Sequence, residues 1–146
     1  MVLNISDDQF EKLIKLTYLG MWVADANFQQ TQTSLKEIEQ LIFQEAKERK
    51  AFQNLIQYNE TEKRYYPTNV LHEDEVINNY LDDYEENCFW EELIDRLTKK
   101  SLIEEYGLEE ILKMDASRRM EAEKLLIEKY QTEFENNGIK NLKIEI

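Results

Sequence analysis

Apolar residues recur along most of this chain at the three- and four-residue spacing of amphipathic helices, with recognisable starts and stops. Ser6 followed by Gln9 forms a capping box, and Asp7 and Asp8 fall in the first turn, where the helix dipole favours them. Phe10, Leu13, Ile14, Thr17, Tyr18, Met21 and Trp22 then share one face. Leu16, Leu19 and Val23 widen it, which predicts a helix central to the core. Gly20 costs about 1 kcal/mol against Ala in a helix interior and is expected to mark close packing by a neighbouring helix, or a kink. After a polar link at residues 27–33, Ser34 with Glu37 opens a second helix. Its stripe is Leu35, Ile38, Leu41, Ile42 and Ala46, then Phe52, Leu55 and Ile56. That helix reaches Tyr58 unless the charged residues Lys47, Glu48, Arg49 and Lys50 interrupt it.

Residues 59–69 hold the only proline, and Tyr66 before Pro67 is pushed out of the α region. A long loop carrying two adjacent tyrosines, Tyr65 and Tyr66, is expected there. A helix over residues 73–86 follows, with Ile77, Tyr80, Leu81 and Tyr84 inward and Val76 beside them. The apolar phase then slips to Phe89, Trp90, Leu93, Ile94 and Leu97, and Asn87 is placed to cap a new helix. Ser101 with Glu104 reads as another capping box, and Gly107 as the C-cap of a short helix. Residues 108–114 add one or two turns. A last helix spans residues 116–135, with Met120, Ile127, Tyr130 and Phe134 inward and Gly138 beyond its end.

Both chain ends read as strands. Residues 1–5 are MVLNI, and Leu142, Ile144 and Ile146 alternate with Lys143 and Glu145. Pairing residues 2–5 with residues 142–146 would satisfy backbone groups that a lone strand leaves bare. The expected fold is all-α: an irregular bundle of five or six helices with a small two-stranded β appendage formed by the chain termini. At 146 residues the chain reads as a single helical domain, residues 1–146, long enough to bury a core.

Charge sharpens this picture. The formal net charge is -13, and residues 73–95 carry ten carboxylates with no Lys or Arg. An apolar stripe inside so acidic a segment predicts a helix with an acidic outer face rather than a disordered tail. Unneutralised acid attracts cations or basic partners. The leading reading is therefore a non-catalytic interaction or regulatory module that offers this face to a basic protein. Its candidate partner-binding residues are Glu73, Asp74, Glu75, Asp82, Asp83, Glu85 and Glu86, with Tyr65 and Tyr66 as exposed aromatic anchors. One variant of this reading is an inhibitor that mimics nucleic-acid charge. Arg118, Arg119 and Lys124 form a patch of opposite sign, through which two copies could associate as a homodimer. Direct nucleic-acid binding is not expected, because it relies on Lys and Arg against phosphates.

No apolar run approaches the length of a membrane span, and MVLNISDDQF lacks the features of a signal peptide. Cys88 is the only cysteine, so no internal disulfide can form. A reducing, cytoplasmic setting and a buried structural role for Cys88 are expected.

Familiar catalytic signatures are missing. With three glycines there is no phosphate loop, no CxxC or HExxH occurs, and His72 is the only histidine. No catalytic residue, cofactor or resident metal is expected. The enzyme alternative is a Mg²⁺-dependent, all-α nucleotide pyrophosphohydrolase-like activity built on carboxylate pairs. Glu45 with Glu48, Asp82 with Glu85, and Glu92 with Asp95 resemble that family's motif in residue type only. In a chain with 31 acidic residues among 146, about six such pairs arise by chance, although each does share a helix face.

Overall fold

The computed structural model describes residues 4–26 and 33–143. Among them are six helices and two strands: α1 (Asp7–Asp25), α2 (Thr33–Glu48), β1 (Ile56–Asn59), β2 (Arg64–Pro67), α3 (Asn69–His72), α4 (Glu75–Tyr106), α5 (Leu108–Lys113) and α6 (Ala116–Asn137). Contacts cluster into two compact units, Met1–Asp83 and Tyr84–Ile146, and the boundary falls inside α4.

In the first unit, α1 begins as its capping box demands. Gln9 N donates to Ser6 Oγ at 3.2 Å, and Ser6 N donates to Gln9 Oε1 at 2.9 Å. Phe10, Ile14 and Met21 are buried, while Leu13, Tyr18 and Leu19 are half-buried. Leu16 and Val23 are exposed, so α1 packs on one face and is not surrounded by core. Gly20 faces open space and marks no close helix approach.

The core gathers Phe10, Ile14, Phe43, Ala46, Phe52, Ile56, Leu71 and Ile77, one or two from each element that meets there. On α2 the buried residues are Phe43 and Ala46, with Ile42 partly covered. Leu35, Ile38 and Leu41, expected to lead the inward stripe, are exposed. The large ring of Phe43 turns the helix instead, and that residue lay outside the expected stripe. The second helix also stops at Glu48. The chain turns there, with Phe52 N donating to Arg49 O at 3.0 Å and Leu55 N to Phe52 O at 2.9 Å. Phe52 and Ile56 thus reach the core from a turn and a strand. Phe10 packs on Phe52 with ring centroids 5.6 Å apart, and the Arg49 guanidinium covers Phe10 at 4.2 Å.

The two-stranded sheet exists, but it is a mid-chain hairpin rather than a pairing of the chain ends. Ile56 pairs with Pro67, Gln57 with Tyr66, Tyr58 with Tyr65 and Asn59 with Arg64, antiparallel. Aromatic and β-branched residues favour strands, and the intervening Glu60-Thr61-Glu62-Lys63 makes the turn. Asn59 Oδ1 accepts from Thr61 N at 2.9 Å and from Glu62 N at 3.1 Å, a local side-chain bond that sets the bend. Lys63 closes it at φ 55°, where glycine would be easier. The terminal residues 1–3 and 144–146 lie outside the described residues; Asn4, Ile5, Leu142 and Lys143 are not in strands.

Continuity of α4 corrects the expected break at Asn87. The helix runs unbroken from Glu75 to Tyr106. In the first unit Ile77 is buried and Leu81 half-buried. In the second unit Trp90, Leu93, Ile94 and Leu97 are half-buried, and Thr98 and Leu102 are buried. What covers each part of the helix is set by the unit it belongs to, so the apolar phase can slip without any new cap. Residues 82–89 are exposed all round. Ser101 is therefore a mid-helix residue, and its Oγ lies 2.6 Å from the Tyr130 hydroxyl of α6.

Gly107 ends α4 at φ 79°, and Gly138 ends α6 at φ 54°, both conformations that glycine adopts at little cost. Asp115 caps α6 by accepting from Arg118 N at 3.0 Å. Phe134 is buried, 5.3 Å from the Trp90 ring and stacked at 6.1 Å on Tyr130. Ile127 is half-buried, whereas Met120, expected inward, is exposed.

Two substitutions on α2 check its phase. Phe43→Ala should destabilise the first unit by about 3–5 kcal/mol, while Leu41→Ala should stay within about 0.5 kcal/mol, measured by urea unfolding. In the second unit the Thr98 hydroxyl is buried with no hydrogen-bond partner among the described residues. Thr98→Val keeps the shape and removes that cost, so it should raise stability by about 1 kcal/mol in the same assay.

Candidate functional site

The acidic residues are placed by α3, by α4 and by the short junction between them. Glu73 follows α3 and is exposed, and Glu75 opens the first turn of α4, where a helix N-terminus favours negative charge. Asp82 and Asp83 are exposed in the first unit, and Glu85 and Glu86 in the second, all on α4. Among the described residues, none of these six carboxylates is in an ion pair. Glu86 does accept from Trp90 Nε1 at 2.6 Å. Elsewhere the helical surface is laced with cations four residues away, as in Asp8–Lys12 at 2.6 Å and Glu92–Arg96 at 2.6 Å. The uncompensated charge is thus concentrated where Lys and Arg are missing from the sequence.

Asp74 differs from its neighbours. Its Oδ2 lies 2.7 Å from Lys15 Nζ, with both side chains only 20% exposed, and its Oδ1 accepts from Ile77 N at 3.1 Å. It caps α4 and ties it to α1. Burial alone would raise its pKa, but the Lys15 ammonium and the Ile77 N–H outweigh that and hold it below the usual carboxylate range. Lys15 is shifted upward, led by its hydrogen bond to Asp74.

What the sequence pattern hid is the aromatic content of this surface. Tyr80 is 63% exposed, Tyr84 49% and Phe89 51%, although the first two were expected inward. Tyr80, Tyr84 and Cys88 succeed one another every fourth residue and so share a side of the helix. Cys88 is exposed rather than buried. Its hydrogen bond with Tyr84 raises the pKa of that phenol. No burial pattern predicts these exposures, because apolar spacing marks a face without saying whether anything covers it. Within the second unit, Tyr84, Cys88, Phe89, Glu91, Glu92 and Asp95 border an open groove.

Tyr65 and Tyr66 are placed differently. Both lie on β2 and both are half-buried. Tyr65 packs against the core and 4.7 Å from Tyr58, and Gln40 grips its backbone on both sides: Gln40 Nε2 donates to Tyr65 O at 3.0 Å and Tyr65 N to Gln40 Oε1 at 2.8 Å. Tyr66 donates its hydroxyl to the Glu62 carboxylate within the hairpin. These tyrosines thus contact Gln40, Tyr58 and Glu62, none of them a carboxylate of α4. His72 ends α3 instead of opening the acidic helix, and its Nδ1 lies 2.8 Å from the Tyr18 hydroxyl.

Two of the three carboxylate pairs of the enzyme alternative are engaged by partners four residues away in the chain. Glu45 binds Arg49 at 2.8 Å, Glu48 accepts from Gln44 at 3.1 Å, and Glu92 and Asp95 bind Arg96 at 2.6 Å and Lys99 at 2.5 Å. Among the described residues, no group of three or more His, Cys, Asp or Glu side chains is placed to hold a metal ion. The basic patch is also compensated: Arg118 lies 3.6 Å from Glu110, Arg119 2.8 Å from Glu123 and Lys124 3.8 Å from Glu128. Comparison with protein-family models, curated proteins and solved structures finds no match to this chain.

Asp74 offers a direct test of the α1–α4 tie. Its folded pKa lies below the unfolded value of about 3.9, so its stabilisation is present above that pH and lost as pH falls through the folded pKa. Asp74→Ala should cost about 1–2 kcal/mol at neutral pH through the lost cap and partner, and should flatten the acid limb of stability against pH.

Proposed function

We propose that this protein is a non-catalytic interaction module that presents the exposed acidic surface of α4 to a basic protein partner. The observation that supports this most is the run of exposed carboxylates without cations, with exposed Tyr80, Tyr84 and Phe89 on the same helix. Acid alone gives attraction but little grip, since exposed pairs contribute about 0–1 kcal/mol each. Exposed aromatic rings add what charge lacks. A Lys or Arg side chain can lay its stem on a tyrosine face and its charge against a carboxylate, and cation–π contact contributes about 0.5–1 kcal/mol at exposed sites. The partner that suits this surface is a basic, partly apolar segment, not a nucleic acid, whose phosphates the surface would repel. No helix among the described residues is long and apolar enough to cross a membrane. A reducing cytoplasm suits the single exposed thiol of Cys88.

Capture of partners from native lysate at low and at 0.5 M salt provides the test, run with the intact protein and with the variant Asp82→Asn, Asp83→Asn, Glu85→Gln, Glu86→Gln. Screening of exposed charge within about 8–10 Å predicts partner loss at high salt, and neutralisation predicts loss at low salt. Tyr84→Ala should weaken capture while leaving its salt dependence intact. Partners retained equally by the charge-neutralised variant would refute the reading.

A further inference from the structure

A second candidate site lies in the first unit, apart from the acidic surface. There α1, α2, β2 and α3 border a cleft of about 600 Å³, within the range of small-molecule sites. Tyr18 and Trp22 of α1 and Tyr66 of β2 supply aromatic walls, and the buried Met21 lies at its base. Asp25 of α1, Lys36 and Glu39 of α2 and Arg64 of β2 supply charge.

Three features distinguish this cleft from an ordinary surface groove. Glu39 is half-buried with a long 3.4 Å contact from Gln40 Nε2; burial, helped by the nearby Asp25 carboxylate, raises its pKa, although Gln40, Lys36 and Arg64 act against the rise. Glu39, Lys36 and Arg64 face one cleft, yet among the described residues none of them is in an ion pair. Charges of both signs therefore stand near one another without touching, which leaves room for a ligand's own charges between them. The walls are also held in place beforehand. The two hydrogen bonds from the Gln40 amide to the Tyr65 backbone lock α2 to β2, and the 2.8 Å contact of Tyr18 with His72 links α1 to α3. A site ordered before binding loses less entropy when a ligand enters.

We propose that this cleft binds a small zwitterion carrying an aromatic ring. Glu39 receives the ammonium group, Arg64 and Lys36 receive the anionic group, and the ring lies against Trp22 and Tyr18. A purely anionic ligand would leave Glu39 facing negative charge, and a purely cationic one would meet Arg64 and Lys36. Both signs on one molecule satisfy both ends.

Three probes separate these contributions: L-phenylalanine, 2-phenylethylamine without the carboxylate, and 3-phenylpropionate without the amine. A Trp90→Phe background leaves Trp22 as the sole tryptophan, and its fluorescence reports occupancy. L-phenylalanine should saturate the signal and bind about tenfold or more tighter than either single-charge probe. Glu39→Gln should weaken L-phenylalanine and 2-phenylethylamine but spare 3-phenylpropionate. Arg64→Gln should weaken L-phenylalanine and 3-phenylpropionate but spare 2-phenylethylamine. No saturation by any probe up to about 10 mM would overturn the proposal. So would equal binding of all three probes to the background protein, a comparison that needs no charge substitution in the cleft.

Discussion

The structure depends on a helix that stays continuous from one compact unit into the other. The backbone of α4 satisfies its own hydrogen bonds over 32 residues, so nothing requires one face to stay buried throughout. Ile77 and Leu81 are covered in the first unit, and Trp90, Leu97 and Leu102 in the second. Between these two stripes, residues 82–89 have no covered side. That stretch can hold a tyrosine, a phenylalanine and a thiol in water alongside four carboxylates, because packing asks nothing of it. The same freedom lets the acid go uncompensated: exposed like charges repel weakly in a high dielectric, where buried ones would be costly.

In the first unit, short-range polar bonds do what apolar burial cannot do alone, which is to set register. Lys15 with Asp74 fixes where α4 begins against α1. Gln40 fixes how far β2 slides along α2, by occupying both the donor and the acceptor of Tyr65. Thr68 fixes the entry to α3, donating its hydroxyl to Asn54 O at 2.7 Å while its N–H donates to Leu55 O at 2.8 Å. The apolar cluster of Phe43, Ile14, Ile56, Leu71 and Ile77 supplies the driving force, and these bonds select the arrangement.

The acidic surface and the cleft differ in physical character. The surface on α4 is open, single-signed and screened by salt, a form suited to fast and reversible capture of a basic partner. The cleft is half-buried, carries both signs and has fixed walls, a form suited to a small ligand of definite shape. The two call for different probes, and loss of one leaves the other standing.

Local chemistry was legible in the residues alone. The Ser6–Gln9 box, the extent of the last helix to within two residues, Gly107 and Gly138 as stops, and burial of Phe10, Ile14, Ile77 and Phe134 all follow from side chains acting within a few positions of themselves. A helical chain with a two-stranded sheet was legible too, but not where the sheet lies. Its strands pair through an Asn59 turn and are secured by Gln40, 25 residues from Tyr65, and such distant partners leave no periodic signal. Apolar spacing likewise could not say that Leu35, Ile38, Leu41, Tyr80 and Tyr84 stay in water while Phe43 goes inside. Periodicity defines which residues share a face of a helix. Whether another element covers that face depends on where the whole chain goes, and only the tertiary structure decides it.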